Sequence, residues 1–163
     1  MALTVGEVMT RDVETLEPDR TLTEMDRLLV ARGISGVPVV EGDELVGIVS
    51  QTDVIRVLLG EQTKAQEVSG FYSSPFPIPI PALERLAQDS REIADRMTRL
   101  RVREVMTPEP RVVAPSEPIE RAARIMADEG YHRLPVVADK RLLGIVTSLD
   151  LVRLVGERGL ADA

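Results

Sequence analysis

Gly47-Ile48-Val49-Ser50-Gln51-Thr52-Asp53 recurs 97 positions later as Gly144-Ile145-Val146-Thr147-Ser148-Leu149-Asp150. Each copy sets out a glycine, an apolar pair, a hydroxyl residue and, three places on, an aspartate. An apolar run ending near Arg56 or Arg153 follows. The apolar pair reads as a short buried strand and the run after it as a helix. The hydroxyl and the carboxylate therefore fall at a strand-to-helix junction. Backbone N–H groups and the positive end of a helix dipole can receive a polar ligand there.

The duplication extends well beyond that stretch. Val5-Gly6-Glu7-Val8-Met9-Thr10 answers to Val102-Arg103-Glu104-Val105-Met106-Thr107 at the same offset. The offset runs without a gap from Val5 to Leu58, and 17 of those 54 pairs are identical. A repeat of that quality decides the organisation before any element is assigned. Each copy reads as a short helical turn (5–9), an extended segment (13–16), a helix, a hairpin and a closing helix. Thr21 with Glu24 forms a capping-box pattern. Leu22, Met25, Leu28 and Leu29 share one helical face, as do Ile119, Ala122, Ile125 and Met126 in the second copy. Gly33 and Gly130 follow the last helical turn, where a positive φ is needed. Val37-Pro38-Val39-Val40, a turn at 41–44 and residues 45–49 read as a hairpin, matched by Leu134-Pro135-Val136-Val137, 138–141 and 142–146. Each proline sits at the first position of its strand or just inside it, where a missing N–H is tolerated. Helices over 52–59 and 148–155 close the copies. The order strand, helix, strand, strand, helix predicts an α/β (α+β) fold, in which each unit covers its apolar face by packing on the other.

The boundaries read as a first unit over 1–60, an insertion over 61–101 and a second unit over 102–158. Within the insertion, residues 71–81 hold both phenylalanines, Phe71 and Phe76, and four prolines. That composition excludes a helix or a central strand and predicts an extended arm. A helix over 82–100 follows, with Leu83, Leu86, Ile93, Met97 and Leu100 roughly on one side. The segment is either a linker crossing the core or an arm that contacts a second subunit.

Composition narrows the chemistry. The 163 residues are 44% hydrophobic but only 2% aromatic, so the core is aliphatic. A net charge of −7 argues against nonspecific binding to nucleic acid or an anionic membrane. The absence of cysteine excludes disulfides and thiol chemistry, and His132 as the lone histidine excludes a multi-histidine metal centre. No secretory signal or membrane span is recognisable, so the cytoplasm is the expected compartment. No Gly-x-x-x-x-Gly-Lys loop is present, and a covalent nucleophile would need a serine or threonine activated by a neighbouring base, so no enzyme, catalytic residue, metal or cofactor is expected.

Val-x-x-Val-Met-Thr, Gly-x-x-x-h-Pro-Val-Val (h, apolar) and Gly-Ile-Val-[Ser/Thr]-x-x-Asp, in that order and twice over, resemble a tandem pair of CBS domains (the cystathionine β-synthase type) in a stand-alone CBS domain-containing protein. The resemblance covers nearly the whole chain outside the insertion. It implies two β-α-β-β-α units packed through their sheets about a pseudo-twofold axis, forming a module that commonly dimerises. It also implies binding of adenosine-containing ligands, such as AMP, ADP, ATP or S-adenosylmethionine, in clefts between the units. Carried over position by position, the main site combines Ser50, Thr52 and Asp53 with Val112, His132, Arg133, Leu134 and Pro135. The second combines Thr147 and Asp150 with Ser35, Gly36, Val37, Pro38 and Thr15 or Val13. The aspartate would accept from ribose hydroxyls, and His132 and Arg133 would meet phosphates. Val-Pro and Leu-Pro segments would wall the adenine. The second site faces Ser35 and Gly36, which carry no charge, and Leu149 replaces Thr52. The Asp53 site is therefore expected to be the tighter for a phosphorylated adenosine.

Plainer readings stand beside these. Ser50 with Asp53 and Thr147 with Asp150 fit helix caps. His132 and Arg133 fit surface positions, Arg56 and Arg153 fit dipole partners, and Met9 and Met106 fit core filler. The alternative function is a structural or interaction protein with empty clefts, which dimerises or docks on an unidentified partner; a third reading is a subunit that regulates a separately encoded enzyme or transporter.

Overall fold

The computed structural model describes residues 3–58, 72 and 90–159. The elements in order are α1 (Val5–Val8), α2 (Leu22–Arg32), β1 (Gly36–Glu41), β2 (Glu44–Ser50), α3 (Gln51–Leu58), α4 (Ser90–Arg99), a 3-10 turn (Val102–Glu104), β3 (Thr107–Pro108), α5 (Ile119–Glu129), β4 (Arg133–Ala138), β5 (Arg141–Thr147) and α6 (Ser148–Arg158). Among the described residues no helix is long and apolar enough to cross a membrane.

Local chemistry explains the boundaries. Thr21 Oγ1 accepts from the Glu24 N–H at 3.2 Å, and Glu24 Oε2 accepts from the Thr21 N–H at 2.8 Å. This is the reciprocal cap that starts α2. Gly33 (φ 63°) and Gly130 (φ 70°) end α2 and α5 in the left-handed conformation. The β4–β5 turn places Asp139 and Lys140 at positive φ, the conformation a two-residue hairpin requires.

The chain forms two compact units, and they do not follow the order of the repeats. Unit one comprises Met1–Val13, Asp43–Leu45 and Arg111–Ala163; unit two comprises Glu14–Gly42 and Val46–Pro110. Each unit takes the body of one repeat and the leading segment of the other.

In unit one the Val5 N–H donates to Glu117 O, the Gly6 N–H to Pro115 O and the Thr10 N–H to Ile145 O. Strands β4 and β5 form an antiparallel hairpin, and the first residues of β2 join it at Glu44 opposite Arg141. In unit two the same bonds recur at the repeat offset. The Val102 N–H donates to Arg20 O and the Arg103 N–H to Pro18 O, while Thr107 pairs with Ile48.

The core of unit two is aliphatic: Leu16, Leu22, Met25, Leu29, Val37, Val39, Val49, Val54, Val102 and Val105. Each such side chain stabilises the fold by about 1.5–3 kcal/mol when fully buried. Val5, Val113, Ile119, Ala122, Leu134, Val136 and Val146 are the buried counterparts in unit one.

One expectation is corrected. The segment over 13–16 and its counterpart do not form full strands; each contributes one bridge, Leu16 to Val39 and Val113 to Val136. The prolines supply the reason. Pro38 and Pro135 have no N–H, so each offers only a carbonyl, accepting from Leu16 or Val113 at 3.1 Å.

The arm expected over 71–81 lies outside the described residues apart from Tyr72, which is buried in unit two. Of the helix expected over 82–100, Ser90–Arg99 is described. Its half-buried Ile93 and Met97 alternate with exposed Ala94, Asp95 and Thr98 at helical spacing.

Candidate functional site

The two junctions are built alike. At the end of β2 the Ser50 hydroxyl donates to Asp53 Oδ2 at 2.7 Å and the Ser50 N–H donates to the same oxygen at 2.9 Å. The Asp53 N–H returns a bond to Ser50 Oγ at 3.3 Å. At the end of β5, Thr147 donates to Asp150 Oδ2 through its hydroxyl (2.7 Å) and its N–H (2.8 Å), and the Asp150 N–H donates to Thr147 Oγ1 at 3.2 Å. Both carboxylates therefore cap the helix that carries them, and the cap reading describes both copies. A carboxylate held this way is also preorganised, since its orientation is set before any ligand arrives.

The surroundings differ. Ser50 and Asp53 are each 1% exposed. Thr147 and Asp150 are half-buried, and Asp150 Oδ1 lies 3.8 Å from Arg153 Nη1. Asp150 and Arg153 also line a polar cavity of about 550 Å³ in unit one, with Glu7, Thr10 and Glu157.

Each junction is stitched to the loop that precedes the first hairpin strand of its own repeat. The Gln51 N–H donates to Ser35 O at 3.0 Å, and Gly36 lies so close to Val49 O that a Cβ there would stand 2.8 Å from it. The Ser148 N–H donates to His132 O at 2.9 Å, and Ser148 Oγ lies 3.5 Å from His132 Nδ1.

Unit two thus holds Thr15, Ser35, Gly36, Val37, Pro38, Ser50, Thr52 and Asp53; unit one holds Val112, His132, Arg133, Leu134, Pro135, Thr147 and Asp150. Gly36, Val37, Pro38, Leu134 and Pro135 are buried, whereas Thr15, Ser35 and Thr52 are half-buried. Val112 and His132 are exposed. Arg133 opens β4 half-buried, and its burial lowers the guanidinium pKa from its ordinary value. A cation disfavoured by desolvation gains from an anionic partner.

Two features escaped the sequence reading. Met9 and Met106 are more than filler. A Cβ on Gly144 would stand 2.5 Å from Thr10 O and 2.9 Å from Met9 Sδ; one on Gly47 would stand 2.7 Å from Met106 Sδ and 3.0 Å from Thr107 O. The glycine that opens each junction motif is the seat of the Met-Thr pair of the other repeat. The signal was present, because Met-Thr and Gly-Ile-Val recur at one shared offset. The second feature is Arg96, whose guanidinium donates to the last carbonyls of α3. It lies in the insertion, where no repeat draws attention to it.

The CBS domain family matches residues 5–60 and 102–157. The chain belongs to that family. The CBS domain-containing protein CBSX1, chloroplastic, of Arabidopsis thaliana is 34% identical over 157 residues, covering 92% of this chain. The protein MJ1225 of Methanocaldococcus jannaschii is 28% identical over 153 residues, covering 93%. This chain spans 63% of the length of the first and 42% of the second. The CBS-pair protein CBSX2 from Arabidopsis thaliana superposes with a TM-score of 0.71 at 27% identity, covering 96% of each chain. CBSX2 in complex with AMP superposes with a TM-score of 0.66 at 29% identity, covering 94% of this chain and 97% of that one.

Proposed function

We propose that this CBS pair is a regulatory module that binds an adenosine nucleotide of the AMP, ADP or ATP type, with Asp53 and Asp150 as its ribose-holding carboxylates. The observation that carries this reading is the duplicated junction. Each copy presents a carboxylate already fixed by its own cap, at the start of a helix whose dipole favours phosphate. The structure of CBSX2 with AMP supports the ligand class. Arg133 and His132 are the proposed phosphate partners. Following the family resemblance, we assign them to the ligand of Asp53, with Val112, Leu134 and Pro135 beside the adenine. Thr147 and Asp150 go with Thr15, Ser35, Gly36, Val37 and Pro38. The module has no catalytic step of its own. It acts through its differential affinity for two states, passed to a second copy or to a separately encoded enzyme or transporter.

Titration calorimetry with AMP and ATP on the wild type, Asp53→Ala and Asp150→Ala tests the reading. Asp53→Ala is expected to remove the tighter phase and Asp150→Ala the weaker. Equal losses would end the asymmetry.

The caps favour a second reading, an interaction protein whose junctions are purely structural. It predicts no shift of the thermal midpoint with any adenosine ligand. A ligand that binds only the folded state must raise that midpoint by mass action.

A further inference from the structure

Arg96 of α4 reaches the far end of α3. Its Nη2 donates to Val57 O at 2.8 Å and its Nη1 to Leu58 O at 2.9 Å, across 39 and 38 positions of chain. Carbonyls toward the C-terminal end of a helix carry the negative end of its dipole. A guanidinium fork satisfies two of them at once with charge-assisted bonds.

The lateral packing of α3 makes this tie matter. A cavity of about 290 Å³ is lined by Met25 and Leu29 of α2, Val54, Ile55 and Leu58 of α3, and Met97 of α4. This face of α3 therefore borders open space rather than packing fully on its neighbours. Helix α3 has only 8 residues, about two turns. It is held at its start by the Ser50–Asp53 cap and at its end by Arg96. Further along the same segment, Met106 and Thr107 sit against Gly47 on β2. Residues 96–107 therefore hold both arms of the Asp53 junction, the strand before it and the helix after it. Arg96 lies outside the repeated positions, and the last turn of α6 closes with the Gly159 N–H on Val155 O.

We infer that Arg96 is a positioning residue for the Asp53 junction: it sets the pitch of α3 and so the direction of the carboxylate. The ligand arm of the test rests on the nucleotide reading; the exchange arm does not. Backbone hydrogen exchange of ligand-free Arg96→Ala, Arg96→Lys and wild type is followed at residues 50–58 and 147–155. Arg96→Ala is expected to speed exchange over 50–58 by roughly tenfold, on the scale of lost charge-assisted bonds, with 147–155 unchanged. Arg96→Lys, a point donor without a fork, falls between. In calorimetry with AMP, Arg96→Ala weakens the Asp53-dependent phase by roughly five- to tenfold and spares the Asp150-dependent one. Faster exchange spread equally over both stretches, or confined to α4, would overturn the inference, as would equal weakening of both phases. If the wild type binds no AMP, the nucleotide reading fails and the exchange result alone decides the role of Arg96. If Arg96→Ala does not fold, the exchange of Arg96→Lys decides it against the same two stretches.

Discussion

The Asp53 and Asp150 junctions share a motif, a hydrogen-bond pattern and nearly the same distances, yet one is sealed and the other open. Ser50 and Asp53 are each 1% exposed, and α3 behind them is tied down by Arg96. Thr147 and Asp150 are half-buried, and α6 shows water two large apolar side chains, Leu149 (55% exposed) and Val152 (65%). The same carboxylate thus does two different jobs. Where it is buried, its bonds to Ser50 carry a stability penalty if broken, because the N–H and the hydroxyl lose their partner away from water. Where it is half-exposed, water replaces much of what is lost.

The largest expected effect lies at Gly144, the glycine that opens the second motif. Gly144→Ala drives a Cβ to 2.5 Å from a backbone carbonyl, Thr10 O, and is expected to cost about 3 kcal/mol. Gly47→Ala meets first the flexible Met106 Sδ, at 2.7 Å, and is expected to cost about 1–2 kcal/mol. Met106→Ala should rescue part of the Gly47→Ala loss, whereas Met9→Ala should leave the Gly144→Ala loss almost intact. Denaturant melts of the single and double variants check this, and equal rescue in both repeats would contradict the geometry.

Next comes the carboxylate itself. Asp53→Ala is expected to destabilise by about 2–3 kcal/mol, since it leaves two buried donors without their acceptor. Asp150→Ala is expected to cost about 1 kcal/mol, the ordinary value of a partly exposed cap. The difference between the two, read from urea unfolding, measures the sealing of the first junction directly. Near-equal values would make the two junctions structurally equivalent.

Much of this was legible in the residues. Thr21 with Glu24, Gly33 and Gly130, and the two hairpins are local statements, and local statements survive folding. The two capped junctions were legible as a motif repeated at one offset. What could not be read was long-range. Gly47 and Gly144 advertise a close approach but not what approaches. The exchange of leading segments places Met9 and Thr10 beside residues more than a hundred positions away. The contrast between Asp53 and Asp150 was read from charge, as His132 and Arg133 against Ser35 and Gly36. The contrast in burial was invisible, because the two motif copies differ chiefly by Thr52 against Leu149. Arg96 carries no periodic signal, so only the folded chain connects it with Leu58.

The exchange of Thr52 for Leu149 gives the gentlest test. Leu149 occupies the second position of α6, where Thr52 stands in α3, and it is exposed. Leu149→Thr removes little buried surface and trades a good helix former for a β-branched one, so the stability cost is about 0.5 kcal/mol. It also returns a hydroxyl to the first turn, beside the carboxylate and the helix dipole, where a phosphate oxygen would gain a donor. If Leu149 is part of why the second junction is the weaker binder, Leu149→Thr should tighten the Asp150-dependent phase about three- to fivefold, the scale of one modest hydrogen bond, and leave the Asp53-dependent phase alone. Calorimetry that finds no tightening would move the cause of the asymmetry away from the first helical turn.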